Sequence, residues 1–310
     1  MKLCTYSVEP GAPRLGALCG TAVLDLARYS HLHEGLRLPA DMQGFLDAGL
    51  EAWRHAADLC RRFTSELESH DLAQDAEAGL AYRADRVRLH APIPRPRKNV
   101  FGLGQNYAAH AAELGNPPPA APIYFTKPPT TVIGPGEPVP YPQGLTTRLD
   151  WEVELGVVIG RKVRYLDTPA HAHEHIAGYV LSHDVSERAF QLERGGQWTK
   201  GKSCDTFNPL GPFLATPEEI PAVGNLSMSL SVNGQQRQHG NTATMIFDVS
   251  FLVHYISQFM TLEPGDLIST GTPPGVGLGM KPPQYLRTGD VVELQIEGLG
   301  AQRQICTSVL

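Results

Sequence analysis

The run Asp150-Trp151-Glu152-Val153-Glu154-Leu155-Gly156-Val157-Val158-Ile159-Gly160 places two acidic side chains, Glu152 and Glu154, inside what otherwise reads as a buried β-strand. Alternate residues of a strand share a face, so the two carboxylates point the same way from backbone positions about 7 Å apart. Carboxylates turned together out of an apolar strand repel one another and lose hydration. The arrangement is stable if a cation or a shared proton lies between them. A divalent metal is the simplest such cation, and oxygen-only ligands select Mg²⁺ or Mn²⁺, with Ca²⁺ as a possible substitute, over zinc, copper or iron. The alternative is a sheet face whose carboxylates are solvated or paired with arginines.

The chain is long enough, at 310 residues, for one large domain or for a small domain attached to a larger one. Its 26 basic and 32 acidic residues give a formal charge of -6, which offers no long-range attraction to nucleic acid or to an anionic membrane. The first residues, Met1-Lys2-Leu3-Cys4-Thr5-Tyr6, lack the apolar core of a signal peptide, and no stretch approaches a membrane span. A soluble, cytoplasmic protein is expected. Five cysteines without CxxC spacing argue against a disulfide framework and against structural zinc. Of these Cys204, beside Lys202 and Asp205, is a conceivable nucleophile, but no histidine lies near it in sequence to activate it.

Alternation through Leu3 to Val8 and again through Leu15 to Leu26, around Glu9-Pro10-Gly11, predicts a β-hairpin. Met42, Phe45, Leu46, Leu50, Trp53, Ala57, Cys60 and Phe63 recur at helical spacing and predict one helix with a single apolar stripe. Three prolines between Ala91 and Lys98 suit neither a helix nor a central strand and place a boundary there, with Arg95, Arg97 and Lys98 read as a solvated linker. Beyond it come short apolar runs at 100–103, 122–125, 155–159, 178–182, 226–232, 266–269 and 291–296, with one helix at 247–260 whose stripe includes Phe259. The expected architecture is α+β and β-rich, a small α+β domain over residues 1–95 followed by a larger domain over residues 96–310.

Several motifs compete for the chemistry. Gly196 to Ser203 satisfies the phosphate-loop pattern, but no buried strand precedes it and Pro209 and Pro212 follow it, so the context rejects an NTPase. Thr270-Gly271-Thr272-Pro273-Pro274-Gly275-Val276-Gly277 is either a tight turn or a holder of a substrate oxygen. His171, His173 and His175 follow a helix-start signal at Thr168-Pro169, which favours solvated rings over a zinc cluster. Asp184 stands at the end of the apolar run 178–182, thirty residues after Glu154 (184 - 154 = 30), and can return beside it as a third carboxylate. His110 and Glu113, at i and i+3 of a short helix, form either a surface pair or an imidazole oriented as a general base.

These motifs occur together and in order: GLGQNYAAHAAELG, PIYFTKPPTTVIGPGEPV, LDWEVELGVVIG, HDVSERAFQ, WTKGKSCDTFNPLGPFL, VNGQQRQHGNTATMIF and SQFMTLEPGDLISTGTPPGVG. Jointly they resemble the fumarylacetoacetate hydrolase family over residues 98 to 298, the first 95 residues being similar to the variable N-terminal domain of its two-domain members. The resemblance implies the mixed β-sandwich or roll of that family as the larger domain. It implies Glu152, Glu154 and Asp184 as metal ligands and His110, Glu113 and Lys202 as catalytic groups. It further implies Lys127, Arg188, Gln191 and Thr272 as contacts to substrate or to the groups around it. The implied activity is metal-dependent hydrolysis of a carbon–carbon bond in a 1,3-dicarbonyl oxo acid through a stabilised enolate. Decarboxylase, isomerase or lyase activity on oxaloacetate, hydroxymuconate-type or ureidoglycolate substrates is the alternative. The segment 186–198 is most similar to members acting on 2,4-diketo-3-deoxy sugar acids. A homodimer is implied as well.

Overall fold

The structure is a computed structural model, and it describes residues 1–308 apart from 34, 142, 143 and 146. Its backbone is a sheet of eleven strands whose order runs Ala81–Arg83, Ala22–Asp25, Arg14–Cys19, Lys2–Ser7, Leu214–Ala215, Ile176–His183, Val153–Ile159, Leu267–Ser269, Val100–Gly104 and Ile123–Lys127, with Arg88–His90 paired beside Lys2–Ser7. Neighbours are antiparallel except Leu267–Ser269 and Val100–Gly104, which run parallel with Ile268 opposite Phe101. A second sheet of five strands takes the order Gln235–Asn241, Ser227–Val232, Val291–Ile296, Gly300–Ser308 and Val139–Tyr141. This is the β-rich α+β architecture read from the sequence.

The two central strands, Val153–Ile159 and Ile176–His183, are buried along their whole length because both faces of the large sheet are covered. Val153, Leu155, Val157 and Ile159 enter the core shared with the five-stranded sheet and with helix Val249–Ser257. Val158, Ala177 and Val180 enter a second core together with Phe45, Leu46 and Phe63 of the N-terminal helices. The even-numbered residues at the start of strand Val153–Ile159 thus face away from the first core, and the acidic pair is among them.

The N-terminal strands join the large sheet through Lys2 opposite Ala215 and Leu3 opposite Leu214. Gly178 makes the join possible, because a Cβ there would come within 2.1 Å of the Ala215 carbonyl oxygen. The prolines at 91–98 do lie between strands. Arg95 and Arg97 are exposed, as expected of a solvated cluster, but the segment is also fastened to its surroundings: Arg97 pairs with Asp47, and Lys98 donates to the Thr261 carbonyl at 2.8 Å and to buried Asp266 at 2.9 Å.

Four local expectations are corrected. The run from Leu15 to Leu26 is two strands, with Cys19 opposite Ala22 across the turn Gly20-Thr21. The helix expected across 42–63 is two helices, Met42–Asp47 and Gly49–Glu66, broken where Gly49 takes φ +77°, and this leaves Leu50 exposed. The helix at 247–260 spans only Val249–Ser257, started by the Asp248 side chain accepting from the Phe251 amide, and Phe259 is half in solvent. Strands Gln235–Asn241 and Gly300–Ser308 had no counterpart in the reading of apolar runs.

A substitution at the strand junction tests this packing. Gly178→Ala should lower stability by about 1–3 kcal/mol, as overpacking against backbone does, read as a fall in the urea midpoint at unchanged slope. An unchanged midpoint would mean that the junction is looser than described.

Candidate active site

The register of the central strands assembles the carboxylates. Val153 lies opposite His183 and Glu154 opposite Ser182. One step further, the Asp184 amide donates to the Glu152 carbonyl at 3.0 Å. Since side chains alternate along each strand, Glu152, Glu154 and Asp184 emerge on one face. One carboxylate oxygen from each lies within 4.8 Å of the other two, and all three residues are buried.

Three cations compensate this cluster. Lys202 bridges Glu152 and Asp184 at 2.7 Å each. Arg188 bridges Asp150 at 2.8 Å and Glu152 at 2.6 Å, and also donates to Gln191 at 2.9 Å. Lys127 donates to Asp184 and, at 2.6 Å, to the Phe207 carbonyl. Burial works against the charge on Glu152, but Lys202 and Arg188 hold its carboxyl well below the usual range. Burial likewise opposes the charge on Lys202, yet Asp184 and Glu152 keep its ammonium protonated above the ordinary lysine value. Lys127, the most enclosed of the three, is pushed down by burial in spite of Asp184.

Glu154 has no cation of its own. Its one described hydrogen bond comes from the Gly271 amide at 3.1 Å. Burial first, then the charges of Asp184 and Glu152, push its carboxyl well above the usual range. When Glu154 is protonated, the three other buried carboxylates (Asp150, Glu152, Asp184) balance three cations (Lys127, Arg188, Lys202), and ionising Glu154 leaves the site one positive charge short. A divalent ion more than offsets that charge and meets three hard oxygen donors, so the residues present fit the metal.

The His-Glu pair faces the same space. Strand Val100–Gly104 ends at Gln105, held at φ +54°, which turns the chain into helix Ala108–Glu113. Asn106 anchors the turn by donating to the carbonyls of Phe247 at 2.9 Å and Thr270 at 2.8 Å. His110 Nδ1 lies 2.7 Å from Glu113 Oε1, and Glu113 Oε2 accepts from the Gly275 amide at 2.9 Å. With Nδ1–H donating to a carboxylate, Nε2 is left as the basic nitrogen.

A cavity of about 350 Å³ joins the two groups. Eight residues singled out in the sequence line it: His110, Glu113, Glu152, Glu154, Arg188, Gln191, Lys202 and Thr272. Asp184 and Lys127 stand behind its wall, fully buried. Lys127 thus braces a carboxylate and does not touch the cavity. Thr272 has its hydroxyl engaged, donating to the Val153 carbonyl at 2.9 Å and accepting from Gln238 at 2.8 Å.

Asp150 and Gln238 were not anticipated. Asp150 accepts the Trp151, Gly277 and Leu278 amides as well as Arg188, which ties the metal carboxylates to the turn that holds Glu113. Its even spacing with Glu152 and Glu154 was a usable signal. Gln238 accepts from the Val153 amide and donates to Thr272 and Pro273, and nothing in its polar surroundings announced this. The glycine cluster proves to serve the protein's own carboxylates: the amides of Gly271, Gly275 and Gly277 point at Glu154, Glu113 and Asp150.

The decoys separate cleanly. The phosphate-loop match is a single helical turn, Thr199–Lys202, that aims Lys202 at carboxylates. His171, His173 and His175 lie on the 3-10 helix Pro169–His175, each bonded to its own neighbourhood. Burial pushes the Cys204 thiol up to about 11, the reverse of nucleophile activation.

Comparison with known proteins agrees with this geometry. The sequence profile described as "Fumarylacetoacetate (FAA) hydrolase C-terminal" matches residues 99–306. A protein of Burkholderia cenocepacia (strain HI2424) that is named as a hydrolase is 52% identical over 265 residues, covering 84% of this chain and 93% of its own length. The solved fumarylacetoacetate hydrolase of the psychrophile Exiguobacterium antarcticum superposes with a TM-score of 0.81 at 34% identity, over 100% of both chains. A structure from Mycobacterium abscessus, titled as a 2-hydroxyhepta-2,4-diene-1,7-dioate isomerase, superposes with a TM-score of 0.75 at 31% identity, again over 100% of both chains.

The raised Glu154 carboxyl has a measurable consequence. Its folded pKa lies above the unfolded value of 4.5, so its contribution to stability is complete below that value and is lost as pH rises through the folded pKa. In protein stripped of divalent ions, Glu154→Gln should therefore raise the melting temperature by a few degrees at alkaline pH and change it little near pH 4.5. Scanning calorimetry at the two pH values checks this, and a variant less stable than wild type at alkaline pH would contradict it.

Proposed function

We propose that this chain, which belongs to the fumarylacetoacetate hydrolase family, is a metal-dependent hydrolase that cleaves the carbon–carbon bond of an acylpyruvate or other 2,4-diketo acid. The observation that carries the reading is the meeting, in one cavity, of a His-Glu dyad and a carboxylate cluster that is one positive charge short when Glu154 ionises. Glu152, Glu154 and Asp184 would hold Mg²⁺ or Mn²⁺, which when bound supplies Lewis-acid polarisation and a template for the oxo-acid oxygens.

The protein's own groups then divide the work. Glu113, oriented by the Gly275 amide, fixes the His110 tautomer, and His110 Nε2 takes a proton from water as the water attacks the distal carbonyl. Cleavage of the bond between that carbonyl carbon and the adjacent methylene releases a carboxylic acid, and the electron pair passes into the enolate of the 2-oxo acid. Lys202 is held as an ammonium by Glu152 and Asp184 and keeps a third N–H for the developing oxyanion. Protonation of the enolate carbon completes the balance: diketo acid plus water gives a carboxylic acid and a 2-oxo acid. Phe125 and Trp198 line this end of the cavity.

Isomerisation of a hydroxydiene acid is the second reading, favoured by the similar structure titled as an isomerase. It draws on the same enolate-stabilising groups but needs no attacking water. Hydrolysis predicts that His110→Ala lowers kcat by about two to four orders of magnitude, the range of general base catalysis, while Mg²⁺ still binds by calorimetry. Turnover should be followed as loss of enol absorbance with identification of both products. Unchanged turnover in His110→Ala, or an isomeric product without release of a carboxylic acid, would decide against hydrolysis.

Metal binding should also release protons, because Glu154 must ionise to act as a ligand. Mg²⁺ affinity should therefore rise with pH, and titrations in two buffers of different ionisation enthalpy should give different apparent enthalpies. EDTA should abolish turnover, and Mg²⁺ should restore it.

A further inference from the structure

The names carried by two similar structures point to substrates with a carboxylate at each end or along the chain, and the wall of this cavity speaks to whether a second carboxylate is accepted. We propose that the enzyme selects 2-oxo and 2,4-diketo acids whose distal arm is uncharged and apolar, and discriminates against arms ending in a carboxylate. This rests on the reading of the carboxylate cluster as the end that receives the oxo acid.

The cations that reach the cavity are gathered at one end. Arg188 is spent on Asp150, Glu152 and Gln191, and Lys202 on Glu152 and Asp184, so both sit with the metal carboxylates. Among the residues that line the space, none of the others is lysine or arginine. Arg237 has its guanidinium carbon 5.9 Å from the Trp151 ring centre and is not part of the lining.

The wall beside the carboxylates is aromatic by construction. Phe125 and Trp198 lie with ring centroids 6.2 Å apart, and the Lys202 ammonium is 5.0 Å from the Phe125 ring. Two glycines of strand Val100–Gly104 make room for them: a Cβ on Gly102 would come within 2.3 Å of the Phe125 ring, and one on Gly104 within 2.2 Å of the Trp198 ring. Leu103, Leu114 and Leu278 extend the apolar surface. An alkyl or aryl arm lying against these groups gains burial. An arm ending in a carboxylate loses hydration there, and apart from Arg188 and Lys202, which already bind the buried carboxylates, the lining offers it no lysine or arginine. Gln105, Asn116, Gln191 and Thr272 are the neutral polar groups of the lining, and they do not replace a cation.

The test uses binding, so that it does not depend on cleavage. With wild-type protein and saturating Mg²⁺, calorimetry compares 2-oxohexanoate with 2-oxohexanedioate, which differ only in the group at the end of the arm. The monoacid should bind at least about tenfold tighter, a difference of roughly 1.4 kcal/mol, and Trp198→Arg should shrink or reverse that ratio. Trp198 is part-exposed, so the change leaves the core intact. Equal or tighter binding of the diacid by wild type overturns the proposal, as does failure of both acids to bind. If the monoacid binds preferentially while no diketo acid is cleaved, the arm selectivity stands and the hydrolytic reading falls.

Discussion

A cluster of four buried carboxylates held by three cations governs the rest of this structure. Burying charge in a protein is tolerated only where each charge is paired and hydrogen-bonded. Here Arg188 and Lys202 each span two carboxylates, and Lys127 braces one of them, Asp184, from behind. The pairing stops short at Glu154, which keeps a backbone amide as its donor. Ionising Glu154 there leaves one unit of unpaired negative charge, which burial makes costly unless a proton or a cation offsets it.

The arrangement also explains why the site lies where it does. The central strands are covered on both faces, so their side chains belong to two cores, and near the start of one strand and the end of the other a face opens into the cavity lined by the carboxylates. Asp150 connects this opening to the turn at 275–279, whose amides hold Glu113. The Glu152-Glu154 pair and the His-Glu dyad come from segments about forty residues apart in sequence, 110–113 and 152–154. One buried carboxylate and one glycine-rich turn keep them in register, which is the preorganisation that proton transfer and charge stabilisation require.

Much of this was readable beforehand wherever local pattern and local structure coincide. Alternation located the acidic pair, helical spacing located His110 and Glu113, and the apolar runs marked seven of the strands. Reading failed where a single residue interrupts a pattern, as Gly49 divides one apparent helix into two and Gly20-Thr21 folds one apparent strand into a hairpin. It failed again for Gln235–Asn241, a polar strand at the sheet edge, whose residues need pair on one side only and carry little apolar signal. At 91–98 the solvated arginines were legible, but the partners of Arg97 and Lys98, Asp47 and Asp266, were not, because they lie far away in sequence.

What the sequence alone determined is therefore the chemistry: two carboxylates on one strand face, a third at a strand end, an imidazole with its orienting carboxylate, and the family to which the ordered motifs belong. The strand pair and the His-Glu pair follow from spacings of two and three residues, which backbone geometry converts directly into shared faces, and the family from the order of the motifs. Tertiary structure alone decided the balance of charge and the shape of the space. That Lys127 sits behind Asp184 and not in the cavity, that Glu154 lacks a cation, and that Gly102 and Gly104 admit an aromatic wall depend on strands brought together from distant parts of the chain. No local spacing encodes those contacts, because their partners are set by the packing of the whole sheet.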